Sequence, residues 1–199
     1  MTRIAGRYQP LEAARAGAPQ RARDLQTAQT VWLRDLALPP GQAGALLARA
    51  QAAQGIFHPS LVTLFDVVPR GEDRLLLAYE YVPAQTVAQV SAGAPLHPRR
   101  AAEILTELGD AVAELHARGV THGGIAQATV LVTMKGKAKL DRVGDPALTV
   151  GREPSVEQDL EALGSLLKDL VGKPPAGAAG MAAINVVIER ALNGTLTSA

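Results

Sequence analysis

The sequence predicts an α+β fold in two parts, and three observations predict it. Strand-forming composition concentrates in residues 1–82. After Pro83 the pattern changes to long amphipathic helices. Hydrophobic residues make up 47% of the chain against 20% charged, which supports a buried core and excludes global disorder. A length of 199 residues suits one domain of ordinary size or two small lobes sharing a hinge, and no internal repeat is present.

In the first part, Tyr8 to Leu11 is short and mixed, and Ala13 to Pro19 is small and irregular. Thr30-Val31-Trp32-Leu33 is β-branched and aromatic, the composition of a buried strand. Pro39-Pro40-Gly41 breaks the chain. From Gln42 to Gln54, Leu46, Leu47 and Ala50 recur at helical spacing, and Gly55 supplies a stop. Leu61 to Val68 and Leu75 to Val82 read as strands around the turn Arg70 to Asp73. An antiparallel sheet with one helix against it is the expected arrangement.

In the second part, Arg99 to Arg118 places Ala102, Ile104, Leu105, Leu108, Val112 and Leu115 mostly on one stripe, and Gly119 ends the helix. Val130 to Val132 and Ala138 to Leu140 flank Lys135-Gly136-Lys137 as a small hairpin. Val156 to Val171 carries a leucine stripe. Residues 172–180 read as a linker and Met181 to Leu192 as a last short helix.

Composition removes several function classes. Twenty Lys and Arg against nineteen Asp and Glu give a net charge of +1, with no overall attraction to nucleic acid or an anionic membrane. The absence of cysteine removes disulfides, thiolate catalysis and thiolate-ligated metals. Residues 1–8 lack the apolar stretch of a secretory signal and no apolar run is long enough to span a membrane, so a cytoplasmic protein is expected. Lysine is absent before Lys135, and asparagine occurs only at Asn185 and Asn193.

Several segments in order carry a resemblance. These are Arg21 to Thr27, His58-Pro59-Ser60-Leu61-Val62, Tyr79-Glu80-Tyr81-Val82, Leu115 to His122, and Asp159 to Gly164. Together they resemble the turn after strand two, the element after helix C, the hinge (Glu80, Tyr81, Val82), the entry to the catalytic loop and the start of helix F of bacterial serine/threonine protein kinases. The resemblance implies a two-lobed kinase-like fold, with an N-lobe at 1–82 and a reduced, mainly helical C-lobe at 83–199.

Phosphoryl transfer consists mostly of positioning and charge neutralisation around ATP and magnesium. The resemblance places the family's chemical groups on residues that do not supply them. The strand lysine falls on Arg34, and arginine is not a conservative exchange there. The helix-C glutamate falls near Arg49, and no acid occurs from Leu36 to Phe65, so Arg34 and Arg49 are expected to repel. The catalytic aspartate falls on Gly124, the metal-holding asparagine on Thr129 and the metal-holding aspartate on Arg142. Gly124 can neither accept a proton nor orient an alcohol, and hard divalent cations need oxygen ligands. The phosphate loop is reduced to residues 15–19, with one glycine. Tyr79 takes the gatekeeper place, and the activation segment after Asp145 is short. Asp141 and Asp145 flank the degenerate metal position, and a slip of register brings either acid in.

What remains is scaffold. The resemblance gives His122, Gly144 and Asp159 structural roles, with Asp159 accepting amides of the catalytic loop. His58 reads as a packed histidine, His97 as a cap or exposed, and His116 as a cation favoured late in its helix. Arg34, Arg49 and Arg142 read either as an anion-binding cluster or as separate arginines reaching solvent. Lys135, Lys137 and Lys139 read as a solvated face, and Trp32 as a core or pocket-floor residue.

The function expected is a catalytically inactive pseudokinase that binds another protein, with no catalytic, cofactor or metal residues, no bound ATP or magnesium, no nucleic acid and no membrane insertion. The alternatives are a divergent kinase or nucleotidyl transferase using Asp141 or Asp145, and a nucleotide sensor that does not hydrolyse.

Overall fold

A computed structural model describes residues 3–15, 17–172 and 186–190. Its contacts divide into two units, the first formed by residues 1–57, 62–82 and 142–151, the second by 58–61, 83–141 and 152–199.

The first unit is built on an antiparallel sheet of β1 (Tyr8–Pro10), β2 (Gln20–Asp24), β3 (Thr30–Ala37), β4 (Leu64–Pro69) and β5 (Arg74–Glu80), in the order β1-β2-β3-β5-β4. Strand alternation decides which side chains can meet. On one face Val31 and Leu33 join Tyr8, Ala22, Leu76 and Ala78 in a buried cluster. Trp32 and Arg34 therefore point to the opposite face. Their register partners Tyr79 and Leu77 stand on β5, which is buried from Leu75 to Tyr79 because it is covered on both sides. Helix α1 (Ala43–Ala53) buries Leu46, Ala50 and Ala53. It stops before Gly55, whose φ of +74° suits a residue without Cβ. Strand β4 begins later than the apolar run suggests. Leu61, Val62 and Thr63 are buried but lie outside the ladder, which carries a bulge between Leu64 and Asp66.

Polar groups lock the near end of this sheet. Arg7 donates to both oxygens of Asp24, at 2.8 and 2.6 Å, and to Asp66 Oδ2 at 2.9 Å. The Tyr8 hydroxyl donates to the same Asp66 oxygen at 2.8 Å. Asp24 also accepts from the Gln26 amide and the Thr27 hydroxyl. Arg7 holds the Asp24 carboxyl far below the usual carboxylate range, and burial, then Asp66, pushes the Tyr8 phenol up. The Asp24 pKa is lower in the folded than in the unfolded chain. Its stabilisation is therefore complete above the unfolded value of ~4 and is withdrawn as pH falls through the lower folded value. Urea unfolding should accordingly show stability declining between pH 5 and 3, with a shallower decline for Asp24→Asn; equal slopes would exclude this role.

The second unit rests on two helices. In α3 (Pro98–Ala117), Pro98 sits in the first turn and His97 Nδ1 accepts from the Arg99 amide at 3.3 Å, so His97 is a cap. The buried stripe is Ala101, Ile104, Leu108, Ala111, Val112 and Leu115. Each large member contributes ~1.5–3 kcal/mol by burial. This stripe faces α4 (Val156–Val171), which opens on a capping box of Ser155 and Gln158 and buries Leu163, Leu166, Leu167 and Leu170. A second sheet, β6-β7-β8, joins β6 (Ala84–Thr86) to the hairpin of β7 (Val130–Thr133) and β8 (Ala138–Leu140). Strand β6 and the short helix α2 (Val87–Ser91) are not anticipated from the sequence; Thr86 starts α2 with a capping box to Gln89. The hairpin lysines are more engaged than a solvated face: Lys137 pairs with Glu107 at 2.7 Å, and Lys139 Nζ donates to the Leu61 carbonyl at 2.8 Å. Residues 186–190 are helical, within the last helix expected from sequence. The rest of that helix, and residues 173–180 of the expected linker, lie outside the described residues.

The single tryptophan, three tyrosines and two phenylalanines all fall in the first unit, at Trp32, Tyr8, Tyr79, Tyr81, Phe57 and Phe65. The core of the second unit is aliphatic.

Candidate functional site

The residues singled out from the sequence fall into two sets, one in each unit. In the first unit, Arg34 and Arg142 converge on Asp145. Arg142 Nε donates to Asp145 Oδ2 at 2.8 Å. Arg34 Nε lies 2.9 Å from the same oxygen, close enough for an ion pair but without the alignment of a hydrogen bond. Asp145 Oδ1 accepts from the Ala147 amide at 2.9 Å and caps the short 3₁₀ turn Pro146–Leu148. The Asp145 side chain is 0% exposed, against 17% for Arg34 and 23% for Arg142. The expected repulsion between Arg34 and Arg49 is thus replaced by attraction of Arg34 to Asp145. Arg49, half-buried on α1, takes no part in this group.

The residues around Asp145 are fitted closely. Tyr79 is buried and donates its hydroxyl to the Val143 carbonyl at 3.0 Å. Gly144 has φ +73°, and a Cβ there would lie 2.7 Å from Ala53 Cβ and 3.3 Å from Ala50 Cα. Arg142 itself adopts φ +67°, a left-handed conformation that costs a non-glycine residue ~1 kcal/mol. In the segment expected as a hinge, the Glu80 amide donates to the Thr63 carbonyl at 2.8 Å and its carboxylate accepts the Thr63 amide at 3.3 Å. The Tyr81 ring contacts Trp32 with centroids 5.4 Å apart, and the Arg21 guanidinium lies over Tyr81 at 5.8 Å. Trp32 and Val82 are half-buried.

In the second unit, one loop is organised by its own polar groups. Asp159, 1% exposed, accepts the His122 amide on Oδ2 and the Gly123 amide on Oδ1, both at 2.8 Å. His116 Nε2 donates to Asp159 Oδ2 at 3.0 Å, a contact the sequence does not announce. His122 Nε2 donates to the Asp141 carbonyl at 2.8 Å, and its Nδ1 accepts the Gly124 amide at 3.2 Å, which fixes the proton on Nε2. The Thr129 hydroxyl spans the loop: it donates toward the Gly124 and Ala126 carbonyls at 2.8 and 3.1 Å and accepts the Ala126 amide at 3.0 Å. Gly124 is half-buried and brings only backbone. Asp141 is tied to this loop through its amide, which donates to the Thr129 carbonyl at 2.8 Å. His58 is separate, accepting the Ser60 amide on Nδ1 at 3.1 Å.

Each unit also holds a cavity. One of about 260 Å³ in the first unit is lined by Arg15, Asp35, Arg70, Arg74 and Leu76, where Arg70 and Arg74 both pair with Asp35. One of about 290 Å³ in the second is lined by Gly123, Gly124, Arg152 and Asp159, where Arg152 donates to the Gly123 carbonyl. Among the described residues, no three of His, Asp and Glu gather as a metal-holding group. None of their helices is long and apolar enough to cross a membrane.

Comparison with known proteins agrees with the resemblance. No protein-family model matches the chain. A serine/threonine-protein kinase of Bacillus subtilis, PrkC, is 27% identical over 150 residues, covering 71% of this chain and 23% of that protein. The kinase PknB of Mycolicibacterium smegmatis is 27% identical over 153 residues, covering 72% and 24%. The kinase pkn2 of Myxococcus xanthus is 24% identical over 133 residues, covering 67% and 16%. The chain therefore spans about a quarter or less of the curated relatives it matches. Its mixed α and antiparallel β architecture is consistent with these matches, which show the chain to be similar to bacterial serine/threonine protein kinases.

Proposed function

We propose that the chain is a catalytically inactive kinase-like module with a reduced C-lobe, acting by binding another protein. The observation that carries this reading is the condition of Asp145. Arg34 and Arg142 both meet this acid, and it is fully buried with both oxygens engaged by those arginines and the Ala147 amide.

Kinase ancestry implies a magnesium nucleotide, and the residues present do not fit one. A magnesium ion held by protein and phosphate oxygens needs at least one carboxylate open to it. Asp145 is committed to two cations, Arg34 and Arg142, whose positive charge would repel a metal approaching it. In the loop of the second unit, Gly124 has no side chain to accept the proton of an alcohol, and the Thr129 hydroxyl is committed to three backbone groups. The loss of acid, base and metal ligand at once is more than relocation of one group repairs.

The reading is tested by incubating the protein with Mg²⁺ or Mn²⁺, radiolabelled ATP and general acceptor proteins. The expected result is no transfer above that of heat-denatured protein. A second reading, a divergent phosphotransferase, is favoured by Asp141, an acid whose amide and carbonyl are both fixed to the loop of Thr129 and His122. Transfer that disappears in Asp141→Ala would establish it. A nucleotide sensor would instead show a melting temperature rising with nucleotide concentration, without turnover.

A further inference from the structure

We infer that residues Arg142–Gly151 form a self-locked strap, fixed in the first unit by an intrachain Arg34–Asp145–Arg142 clasp in place of any modification-dependent ordering. This goes beyond the question of catalysis, because it concerns what holds a segment and not what the segment transforms.

Four independent ties converge. Tyr79 donates to the Val143 carbonyl at 3.0 Å. Gly144 abuts α1 so closely that no side chain fits between it and Ala53. Asp145 is clasped by Arg34, seventeen per cent exposed and 2.9 Å away, and by Arg142 at 2.8 Å. At the far end, the Gly151 amide donates to Gln42 Oε1 at 3.2 Å.

The clasp explains two local oddities. Arg142 adopts a left-handed backbone conformation, which arginine disfavours, and its side chain then reaches forward three residues to Asp145. Arg34 would bring a strand cation into a face lined by buried Leu77 and Tyr79, and Asp145 neutralises it there. Ordering a segment by phosphorylation requires an accessible hydroxyl and arginines free to receive the phosphate. The one hydroxyl between Arg142 and Gly151 is Thr149, 2% exposed, and the arginines here are already joined to an aspartate. Asp145 thus stands where an added anion would otherwise be needed.

Hydrogen–deuterium exchange on the full chain tests this. The amides of Ala147, Leu148 and Thr149 bond to Asp145 Oδ1, the Asp145 carbonyl and the Pro146 carbonyl. In the unmodified protein they should be protected. In Asp145→Asn they should exchange at least about tenfold faster, with α3 and α4 unchanged, since the local opening equilibrium shifts by the lost ion pairs. Arg142→Gly keeps the backbone conformation and removes one guanidinium, so it should give a smaller acceleration in the same amides; it carries the test if Asp145→Asn fails to fold. Rates in 142–151 unchanged within twofold in a folded variant, or an unprotected segment in the parent protein, would overturn the clasp. Detected phosphotransferase activity would refute the proposed function and leave this result untouched.

Discussion

Replacing Asp159 by alanine is expected to cost the fold about 3–5 kcal/mol, the range for removing one partner from a buried charged network. The carboxylate is 1% exposed and accepts two main-chain amides and the His116 imidazole. Alanine leaves the amides of His122 and Gly123 buried without acceptors, at ~1–3 kcal/mol each. It also opens space at the start of α4, where water can offset part of that loss. Total stability of a domain is ~5–15 kcal/mol, so the variant should be near the edge of folding. Asp159→Asn keeps one acceptor oxygen but presents an amide group to the other donor, and should lie between the two. Urea unfolding followed by far-UV circular dichroism gives the numbers. A loss under ~1 kcal/mol for Asp159→Ala would mean that the loop does not depend on this carboxylate.

Gly144→Ala carries the second large effect. Two penalties add: the positive φ of +73°, and a Cβ 2.7 Å from Ala53 Cβ with the α1 backbone behind it. Left-handed backbone costs a residue with Cβ ~1–2 kcal/mol, and overpacking a rigid neighbour costs ~1–3 kcal/mol more. Gly151→Ala separates them, because Gly151 has φ +72° but no atom within 4 Å of the place its new methyl group would take. Gly151→Ala should therefore lose only the conformational part, and Gly144→Ala roughly twice as much or more. Equal losses would show that α1 yields at no cost.

The helices and strands were legible where one local pattern governed them. The leucine stripe of α4 and the stripe of α3 fix those helices to within a residue, because amphipathic spacing and capping residues are local signals. The later start of β4 was not legible: Leu61 to Thr63 have strand-like composition but are buried outside the ladder. Nor were β6 and α2, which are too short for periodicity to mark.

At the candidate site, the identities of Arg34, Gly124, Thr129 and Arg142 were plain from the sequence. Their partners were not. The Arg34–Asp145 pair joins residues 111 positions apart, and only the fold of the chain decides which acid meets a strand arginine. The same holds for Arg7 with Asp66 and for His116 with Asp159. A sequence lists charges, while register decides which of them are neutralised.

The confinement of every aromatic ring to residues 8–81 gives the molecule an optical asymmetry. Near-ultraviolet absorption and emission, with Trp32 as the sole indole, arise from one half of the protein, while the long helices that dominate the peptide signal near 222 nm belong to the other. Two wavelengths therefore watch two halves melt in a single unlabelled sample, and noncoincident curves would reveal that they come apart in sequence.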